Sequence, residues 1–438
     1  MEASPPSATT PPSPPGFDAA CRRIEDALQR DGAAAALERL CELLECERRL
    51  PQLFEALLMR SRQRLGLPLI PQGSVSHLNE EVLRPHEDDI ADACRKVGGL
   101  FLAQGDIVQA WPYFRALGEN DPVTRALTAI EPGARRKDLE ELADIAFHQG
   151  ANPPHGLRLI LASSGLCSAI TAMERTPPAT RLAQEECASI LVRHIYQELV
   201  NALRHDLTRR GAAPEPGAAA AALPAPPGTL VGLFSGREWV FENGAYHADP
   251  SHLWAVVRLA DALTHGPDLD LALELCDYGL RLAPTFHYQS EPPFERFYDD
   301  HAIYLRGRRR RPPEDAPFAR EHFLAKARCA RAAGDQRFPY GAVVDLVARL
   351  GFTREAAALF VESEGPSGAP VGCPSIGEMF QAAREFQELA EMGRKRKDLL
   401  LFTAGLVQCA VQCAVLGATQ GAGESAQSVA SQPSSAEG

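Results

Sequence analysis

The sequence predicts an all-α protein, an irregular α-solenoid of antiparallel helix pairs with one small β-hairpin inserted. Apolar residues recur at helical spacing through most of the 438 residues. Small and aromatic side chains stand where two closely packed helices need them. One short stretch changes to the period of a strand and contains a turn signal. With 45% hydrophobic residues, the chain can fill a large core.

Composition divides the chain into six segments. The first residues are rich in proline and lack the apolar centre of a secretory signal, and the interior stretch AAPEPGAAAAALPAPPG has almost no large side chain to pack. We predict a disordered N-terminal tail at 1–16, a helical-repeat region at 17–211, an Ala/Pro-rich linker at 212–228, a β-hairpin at 229–249, a second helical-repeat region at 250–420 and a disordered tail at 421–438. The linker is the predicted domain boundary.

In the first region, turn signals separate the helices. Asp31-Gly32 and Leu50-Pro51 divide the first stretch into about three short helices. Helical spacing continues at 88–131, 137–149 and 156–173. Residues 177–211 are typical of one long amphipathic helix, with proline at its start and glycine at its end.

The second region begins with the predicted hairpin. Its turn signal is Asn243-Gly244, preceded by Trp239, Val240 and Phe241 and followed by Ala245, Tyr246 and His247. An Asn-Gly pair between aromatic and β-branched residues is typical of a two-residue hairpin turn. Helical spacing then resumes to about residue 397, with interruptions at proline-rich loops.

Residues 98–122 carry the spacing of a helical hairpin. Two helices approach closely only where one side chain is small, and each hairpin must bury its outer face on the next. The small, aromatic, turn, small, aromatic and proline positions are taken by Gly98, Phe101, Gly105, Ala110, Phe114 and Pro122. In this order they resemble the tetratricopeptide repeat. Leu117 departs from that pattern, which prefers alanine there.

Two further stretches keep part of the same spacing, at Ala272, Gly279 and Pro284 and at Gly351, Ala356 and Phe360. In the first, Cys276 stands at an aromatic position. The resemblance covers about a quarter of the chain, and it implies a solenoid whose groove binds a protein or peptide. We therefore expect a protein-interaction scaffold or adaptor. The resemblance names no particular partner, because a fold alone does not fix a function.

Histidine and aspartate residues form the one grouping that suggests chemistry. His247, Asp249 and His252 follow the predicted turn, and Asp300 and His301 occur further along. If the fold brings them together, they could bind a divalent metal or transfer protons, as in a metal-dependent enzyme. The alternative is structural, because Asp249 directly precedes a proline, as a helix N-cap does. We favour the cap and expect no metal and no cofactor.

Charge and missing motifs limit the other functions. The 45 Lys and Arg against 57 Asp and Glu give a net charge of −12, which disfavours nucleic acid as a partner despite a basic run at 306–311. The 11 cysteines include no C-x-x-C pair, which favours reduced thiols in a cytoplasmic protein. No Walker motif and no G-x-S-x-G elbow occurs, so nucleotide hydrolysis and α/β-hydrolase chemistry have no support.

The C-terminal stretch 399–418 leaves two alternatives open. It is nearly continuously apolar, and four consecutive Lys and Arg residues at 394–397 precede it, as they precede a membrane anchor. Against an anchor, Gln408 and Gln412 lie near its middle, where polar side chains are costly unless they face a partner helix. Gly405 suits a helix that docks on a solenoid. We predict a buried closing helix, with a membrane contact possible only through this stretch.

Overall fold

A computed structural model describes residues 16–70, 79–210, 229–363 and 375–412. Every regular element within these ranges is a helix, and none of their residues forms a strand. The all-α prediction is therefore confirmed. The predicted linker and the two predicted tails lie outside the described residues, apart from Gly16.

The chain divides into two compact units, Met1–Cys187 and Ala188–Gly438. The division falls inside the long helix Arg181–Arg209 and not at the predicted boundary, 212–228. Most of this helix belongs to the second unit, where Ser189 donates a hydrogen bond to Asp268 at 2.7 Å. Arg193 binds the same carboxylate through two nitrogens, at 2.6 and 2.9 Å. The predicted boundary differs because composition marks where packing side chains run out, whereas these contacts begin earlier in the chain.

The first unit contains seven helices among its described residues: α1 (Phe17–Cys46), α2 (Leu50–Arg64), α3 (Glu80–Ala103), α4 (Ile107–Leu117), α5 (Asp121–Thr128), α6 (Leu139–Ala143) and α7 (Pro153–Arg175). A single π-helical turn, Asp144–His148, continues α6. Gly32 has non-helical dihedral angles, φ 86° and ψ −175°, and it interrupts α1 at the predicted Asp31-Gly32 break. The helix α2 begins at the predicted Leu50-Pro51 step.

Helices of the first unit pack chiefly on their neighbours in sequence. Each of α1 to α4 contacts the next helix, α6 contacts α7, and further contacts join α3 to α5 and α4 to α6. The shared core includes Val97, Val123, Leu127 and Leu142, none of which has measurable solvent exposure. Packing between successive helices thus buries one continuous apolar core within this unit.

The helices α3 and α4 form the predicted hairpin. Gly105, between them, has a φ of 77°, a left-handed value that favours glycine. Residues later in α3 contact earlier residues of the α4 region, and residues earlier in α3 contact later ones. Phe101 stacks on Tyr113 with ring centroids 5.9 Å apart, and Arg95 pairs with Glu119, just after α4, at 2.7 Å. The two helices are therefore antiparallel and joined at Gly105, as predicted.

The small and aromatic positions of this hairpin lie in its interface. Ala110 has 0% exposure and Phe114 has 4%. A Cβ placed on Gly98 would lie 2.8 Å from Cε2 of Phe114, so the ring fills the space that glycine leaves. Pro122 lies in the first turn of α5, where its missing N–H costs nothing.

The second unit contains, after the long helix α8 (Arg181–Arg209), ten described helices: α9 (Leu230–Phe234), α10 (Pro250–Leu259), α11 (Pro267–Gly279), α12 (Phe297–Arg309), α13 (Asp315–Ala332), α14 (Tyr340–Arg349), α15 (Thr353–Ser363), α16 (Ile376–Ala383), α17 (Phe386–Arg396) and α18 (Leu399–Gln412). From α10 to α17, each helix packs on the next. The nearest-neighbour pattern of the first unit is therefore repeated here.

The partial repeats of the second unit also lie in helix interfaces. Ala272 and Ala356 are fully buried, and Phe360 is 5% exposed. Gly279 faces the ring of Tyr298 on α12, where an added Cβ would lie 2.5 Å from Cδ1. Pro284 begins a single 3-10 turn, and Gly351 joins α14 to α15 with a φ of 95°.

The predicted β-hairpin at 229–249 does not form. The stretch contains α9 and a run of 3-10 turns, Glu238–Gly244. Its Asn-Gly pair does take positive φ values of 59° and 72°, so the turn signal is realised locally. Phe241 and His247, on either side of that turn, pack on Tyr278 of α11, with ring centroids 5.2 and 6.2 Å away. Tertiary packing on a helix thus outweighs the strand propensity of these residues.

One described helix, α7, is long and apolar enough to cross a membrane by length and composition. Gly165 interrupts it with non-helical angles, φ 81° and ψ 179°, and 44% of its apolar window is buried. The interruption divides the helix into two segments, each of which alone is shorter than a bilayer span.

The C-terminal helix α18 is docked on one side and open on the other. Gly405 is buried against α17, but Leu399 and Leu400 are 77% and 84% exposed. The prediction of a buried closing helix is therefore wrong for one of its faces. Residues 413–418 of the predicted stretch lie outside the described residues.

Candidate functional site

Asp249 caps α10, as the sequence predicted. Its Oδ1 accepts hydrogen bonds from the backbone N–H of Ser251 at 2.8 Å and from the Ser251 hydroxyl at 2.6 Å. The backbone N–H of His252 contributes as well, and together these donors lower the pKa of the Asp249 carboxyl, the Ser251 hydroxyl having the largest effect. The carboxylate of Asp249 is therefore occupied by capping the N-terminus of α10.

His247 lies in a buried chain of hydrogen bonds. The hydroxyl of Tyr278 accepts from the backbone N–H of His247 at 2.9 Å and lies 3.0 Å from its Nδ1. Nε2 of the same ring lies 3.5 Å from Oδ2 of Asp206, near the end of α8. The tautomer with its proton on Nε2 satisfies both contacts, since Nδ1 then accepts from the tyrosine hydroxyl and Nε2 donates to the carboxylate.

The surroundings of these hydrogen bonds keep His247 neutral and Asp206 charged. Burial lowers the pKa of His247, and the nearby Asp206 offsets only part of that effect. Burial alone would raise the pKa of Asp206, but hydrogen bonds from Arg209, Arg210 and His247 outweigh it, so the pKa is lowered. Tyr278 has no exposed surface and burial raises its pKa, so its hydroxyl cannot meet a substrate. The hydrogen bonds among Tyr278, His247 and Asp206 therefore form a structural network.

Asp300 is fully buried at the start of α12, and its carboxylate has three partners. Oδ1 accepts from Nε2 of His322 at 2.8 Å, while Oδ2 accepts from the backbone N–H of Arg296 at 2.9 Å and from Nζ of Lys326 at 2.8 Å. Lys326 also pairs with Glu295. A buried carboxylate with this many donors fastens α13 to the start of α12.

His301 follows Asp300 in the chain but faces different partners. Its Nδ1 forms a hydrogen bond of 2.8 Å with Asp261, and its ring stacks on Phe294 with centroids 4.0 Å apart. His301 is 1% exposed. Its ring is therefore part of the core and not of a cleft.

The predicted cluster is thus divided among separate places. His247 binds Tyr278 and Asp206, Asp249 caps α10, and Asp300 and His301 bind side chains outside the predicted set. Within the described ranges, no group of three or more His, Cys, Asp or Glu residues has the arrangement to hold a metal ion. The metal-dependent alternative therefore lacks a site in this part of the chain.

Sequence reasoning missed most of the partners in these networks. His322 and Lys326 are four residues apart on one face of a helix, a spacing that could have paired them with a buried acid. Asp206 and Tyr278 carried no such signal, since both are far from His247 in the chain.

The basic run at 306–311 is largely helical. Residues up to Arg309 form the last turns of α12. Arg309 pairs with Asp270 at 2.9 Å, Arg306 with Asp277 at 3.8 Å, and Arg308 donates to the carbonyl oxygen of Leu263 at 3.3 Å. These arginines neutralise acids and carbonyl groups of the same unit.

Cysteine provides no exposed cluster of thiols in the described ranges. Cys41, Cys94, Cys187 and Cys276 are buried, and all the described cysteines are unpaired. Burial raises the pKa of Cys187 to about 12, so its thiol stays protonated. Buried protonated thiols are poor nucleophiles.

An open cleft lies between α1, α2 and α3 in the first unit. Its volume is about 400 Å³, and its lining combines Ala34, Leu57 and Ala93 with the charged residues Glu38, Arg60, Arg64, Asp89, Asp92 and Lys96. Volumes of a few hundred Å³ are ordinary for binding sites. The cleft is thus a concave surface with a mixed apolar and charged lining.

Ion pairs hold the charged side chains of this cleft in place. Arg60 pairs with Glu38, Arg64 with Asp89, and Lys96 with Glu45 at 2.7 Å. Burial would raise the pKa of Asp89, but hydrogen bonds from Ser61 and Arg64 lower it. The cleft therefore presents positive and negative charges side by side.

A bound segment could meet this cleft with charges of both signs along its length. Such a pattern suits a peptide backbone with mixed side chains better than a polyanion, which every acid on the wall would repel. Comparison with known proteins adds no family, because no protein-family model, no curated protein and no solved structure matches the chain.

Proposed function

We propose that this chain is a cytoplasmic protein-interaction scaffold built on tetratricopeptide-like helical repeats, and that it binds a protein or peptide segment in the cleft between α1, α2 and α3. The observation that supports it most is the cleft itself, which is open and contributed by three successive helices. Arrays of helix pairs commonly bind their partners on such a surface.

The packing of the helices supports a solenoid as the architecture of each unit. Helices contact chiefly their sequence neighbours, and glycine lies at several of the closest approaches. A nearest-neighbour array exposes an extended surface without needing a closed active site.

The charges favour a protein partner over nucleic acid. The whole chain carries −12, and the cations of the cleft are already paired with acids. Binding to phosphates depends on cations that can replace counterions. Cations that are already paired with acids, in a chain of net negative charge, replace phosphate counterions poorly.

A tryptophan in the cleft tests the proposal. Ala34 lines the cleft and is exposed, whereas its exposed neighbour Ala33 does not line it. Peptides are selected from a random displayed library on the full-length protein, and their affinity for each variant is measured by fluorescence anisotropy. We expect Ala34→Trp to weaken binding at least about 10-fold, a loss of about 1.4 kcal/mol, because the indole occupies the cleft.

Ala33→Trp is the matched control and should bind the selected peptides as the unmodified protein does. Peptides that bind Ala34→Trp with unchanged affinity would place the interaction elsewhere. A selection that yields no binding peptide, with the protein shown to be folded, would count against peptide binding as the function of the cleft.

A further inference from the structure

The described part of helix α18 has an exposed face that is almost entirely apolar. Its large side chains are 49–84% exposed: Leu399, Leu400, Leu406, Val407 and Val411. Their spacing places them on one side of the helix. The other exposed residues of this helix are alanines and Thr403, so no charge interrupts the face.

The opposite face of α18 is docked on α17 through glycine. A Cβ on Gly405 would lie 2.7 Å from the carbonyl oxygen of Phe386, and one on Gly393 would lie 2.6 Å from Cα of Phe402. The backbones of the two helices therefore approach closely. This contact holds α18 along α17 and leaves the apolar face turned outward.

A basic segment adjoins the exposed face. Arg394, Lys395, Arg396 and Lys397 are consecutive and exposed, in a chain whose net charge is −12. The guanidinium of Arg394 lies over the ring of Phe402, 5.1 Å from its centroid, which fixes the segment beside the start of α18. Exposed leucines and clustered cations thus occupy the same end of the helix.

This combination is complementary to an anionic lipid surface. Apolar side chains gain by entering the acyl boundary, while lysine and arginine remain at the charged headgroups. A second copy of the chain is less complementary, since it would bring the same cations and the same net negative charge. We propose that α18 and the basic segment attach this protein peripherally to membranes that contain anionic lipid.

The helix would lie along the interface rather than cross the bilayer. A spanning orientation would break the close backbone contacts that Gly405 and Gly393 make between α18 and α17. Lying flat preserves these contacts. This attachment is independent of the cleft in the first unit.

Vesicle co-sedimentation of the full-length protein tests the attachment. We expect binding to phosphatidylcholine vesicles that contain about 30% phosphatidylserine, weaker binding to phosphatidylcholine alone, and loss of binding at high salt. Lys395→Glu combined with Lys397→Glu should lower the partition coefficient by more than about 25-fold, since each cation near the surface contributes about 5-fold.

The apolar face is tested separately. Leu400→Glu with Val407→Glu should lower the partition coefficient at least about 10-fold, because each carboxylate must enter the acyl boundary. Leu182→Glu is the matched control, at a leucine that is 67% exposed in the first unit, and Lys137→Glu controls for charge reversal. Both controls should bind as the unmodified protein does.

Three results would overturn the attachment. The first is equal binding to neutral and anionic vesicles, or binding to neither. The second is a dimer in solution that Leu400→Glu converts to a monomer, since a second copy then covers the face. The third is protein that stays with vesicles through a carbonate wash, which would indicate a spanning helix. Should Leu400→Glu with Val407→Glu fail to fold, the charge reversals at Lys395 and Lys397 still test the attachment.

Discussion

Replacing Gly98 with alanine measures how closely α3 and α4 approach. The new Cβ would lie 2.8 Å from Cε2, 3.1 Å from Cδ2 and 3.2 Å from Cζ of Phe114, distances well below an ordinary carbon contact of about 3.5–4.0 Å. Phe114 is 4% exposed and is enclosed by the core, so its ring cannot move aside freely. Overpacking of this kind costs about 1–3 kcal/mol.

The neighbouring glycine provides the reference. Gly99 lies in the same helix, and a Cβ there would meet nothing within 4 Å. Both substitutions gain about 1 kcal/mol from helix propensity. Gly99→Ala should therefore stabilise the first unit by about 1 kcal/mol, whereas Gly98→Ala should be neutral or destabilising by up to about 2 kcal/mol. The difference between the two variants isolates the packing cost.

Urea unfolding followed by tryptophan fluorescence provides the measurement. The chain has 3 tryptophans, and Trp111 is the one in the first unit. With Trp239 and Trp254 replaced by phenylalanine in every variant, the signal reports on the first unit alone. If Gly98→Ala stabilised this unit as much as Gly99→Ala does, the close contact with Phe114 would be absent and the antiparallel packing at this point would need revision.

Two further predictions concern the buried polar networks of the second unit. Burial lowers the pKa of His247, so the unfolded chain binds a proton more readily and stability should fall as the pH drops below about 6.5. His247→Gln should flatten this slope by up to about 1.4 kcal/mol per pH unit in isothermal urea titrations between about pH 7.5 and 5.5, and an unchanged slope would mean that folding leaves the pKa of this ring unaltered. Asp300→Ala should cost about 3 kcal/mol or more, since it leaves Lys326, His322 and a backbone N–H without their shared carboxylate. Asp299→Ala, which removes a surface carboxylate 4.0 Å from Arg296, should cost less than about 1 kcal/mol, and similar losses for the two variants would show that Asp300 is not buried as described.

Local patterns predicted the helices and the α3–α4 hairpin because each depends on residues close in sequence. Helical spacing, the Gly105 turn and the small residue opposite Phe114 are all contained in one short stretch. The same reasoning failed at Asn243-Gly244. The turn is present, but the ring of Tyr278, remote in the chain, attracts the flanking aromatic residues and no strands pair.

The candidate site was predictable only where its chemistry is local. The Asp249 cap needs nothing beyond the next few residues, and the sequence indicated it correctly. The partners of His247 and Asp300 come from other helices, so the residues next to His247 and Asp300 in the sequence do not identify them. The open face of α18 was missed for a related reason, since an apolar helix in a sequence does not reveal how much of its surface a neighbour covers.

Because the two units divide inside α8, the position of this helix determines where the protein can be separated into fragments. The predicted linker at 212–228 would suggest itself as the site for separating the protein into pieces, yet a fragment that began after residue 228 would lose Ser189 and Arg193. Asp268 would then keep its negative charge without its two donors, and Glu274 would lose the hydroxyl of Tyr196, 3.0 Å away. A self-sufficient C-terminal piece must therefore carry the helix that precedes the linker, so gene fusions and fragment libraries should place their junction before Arg181.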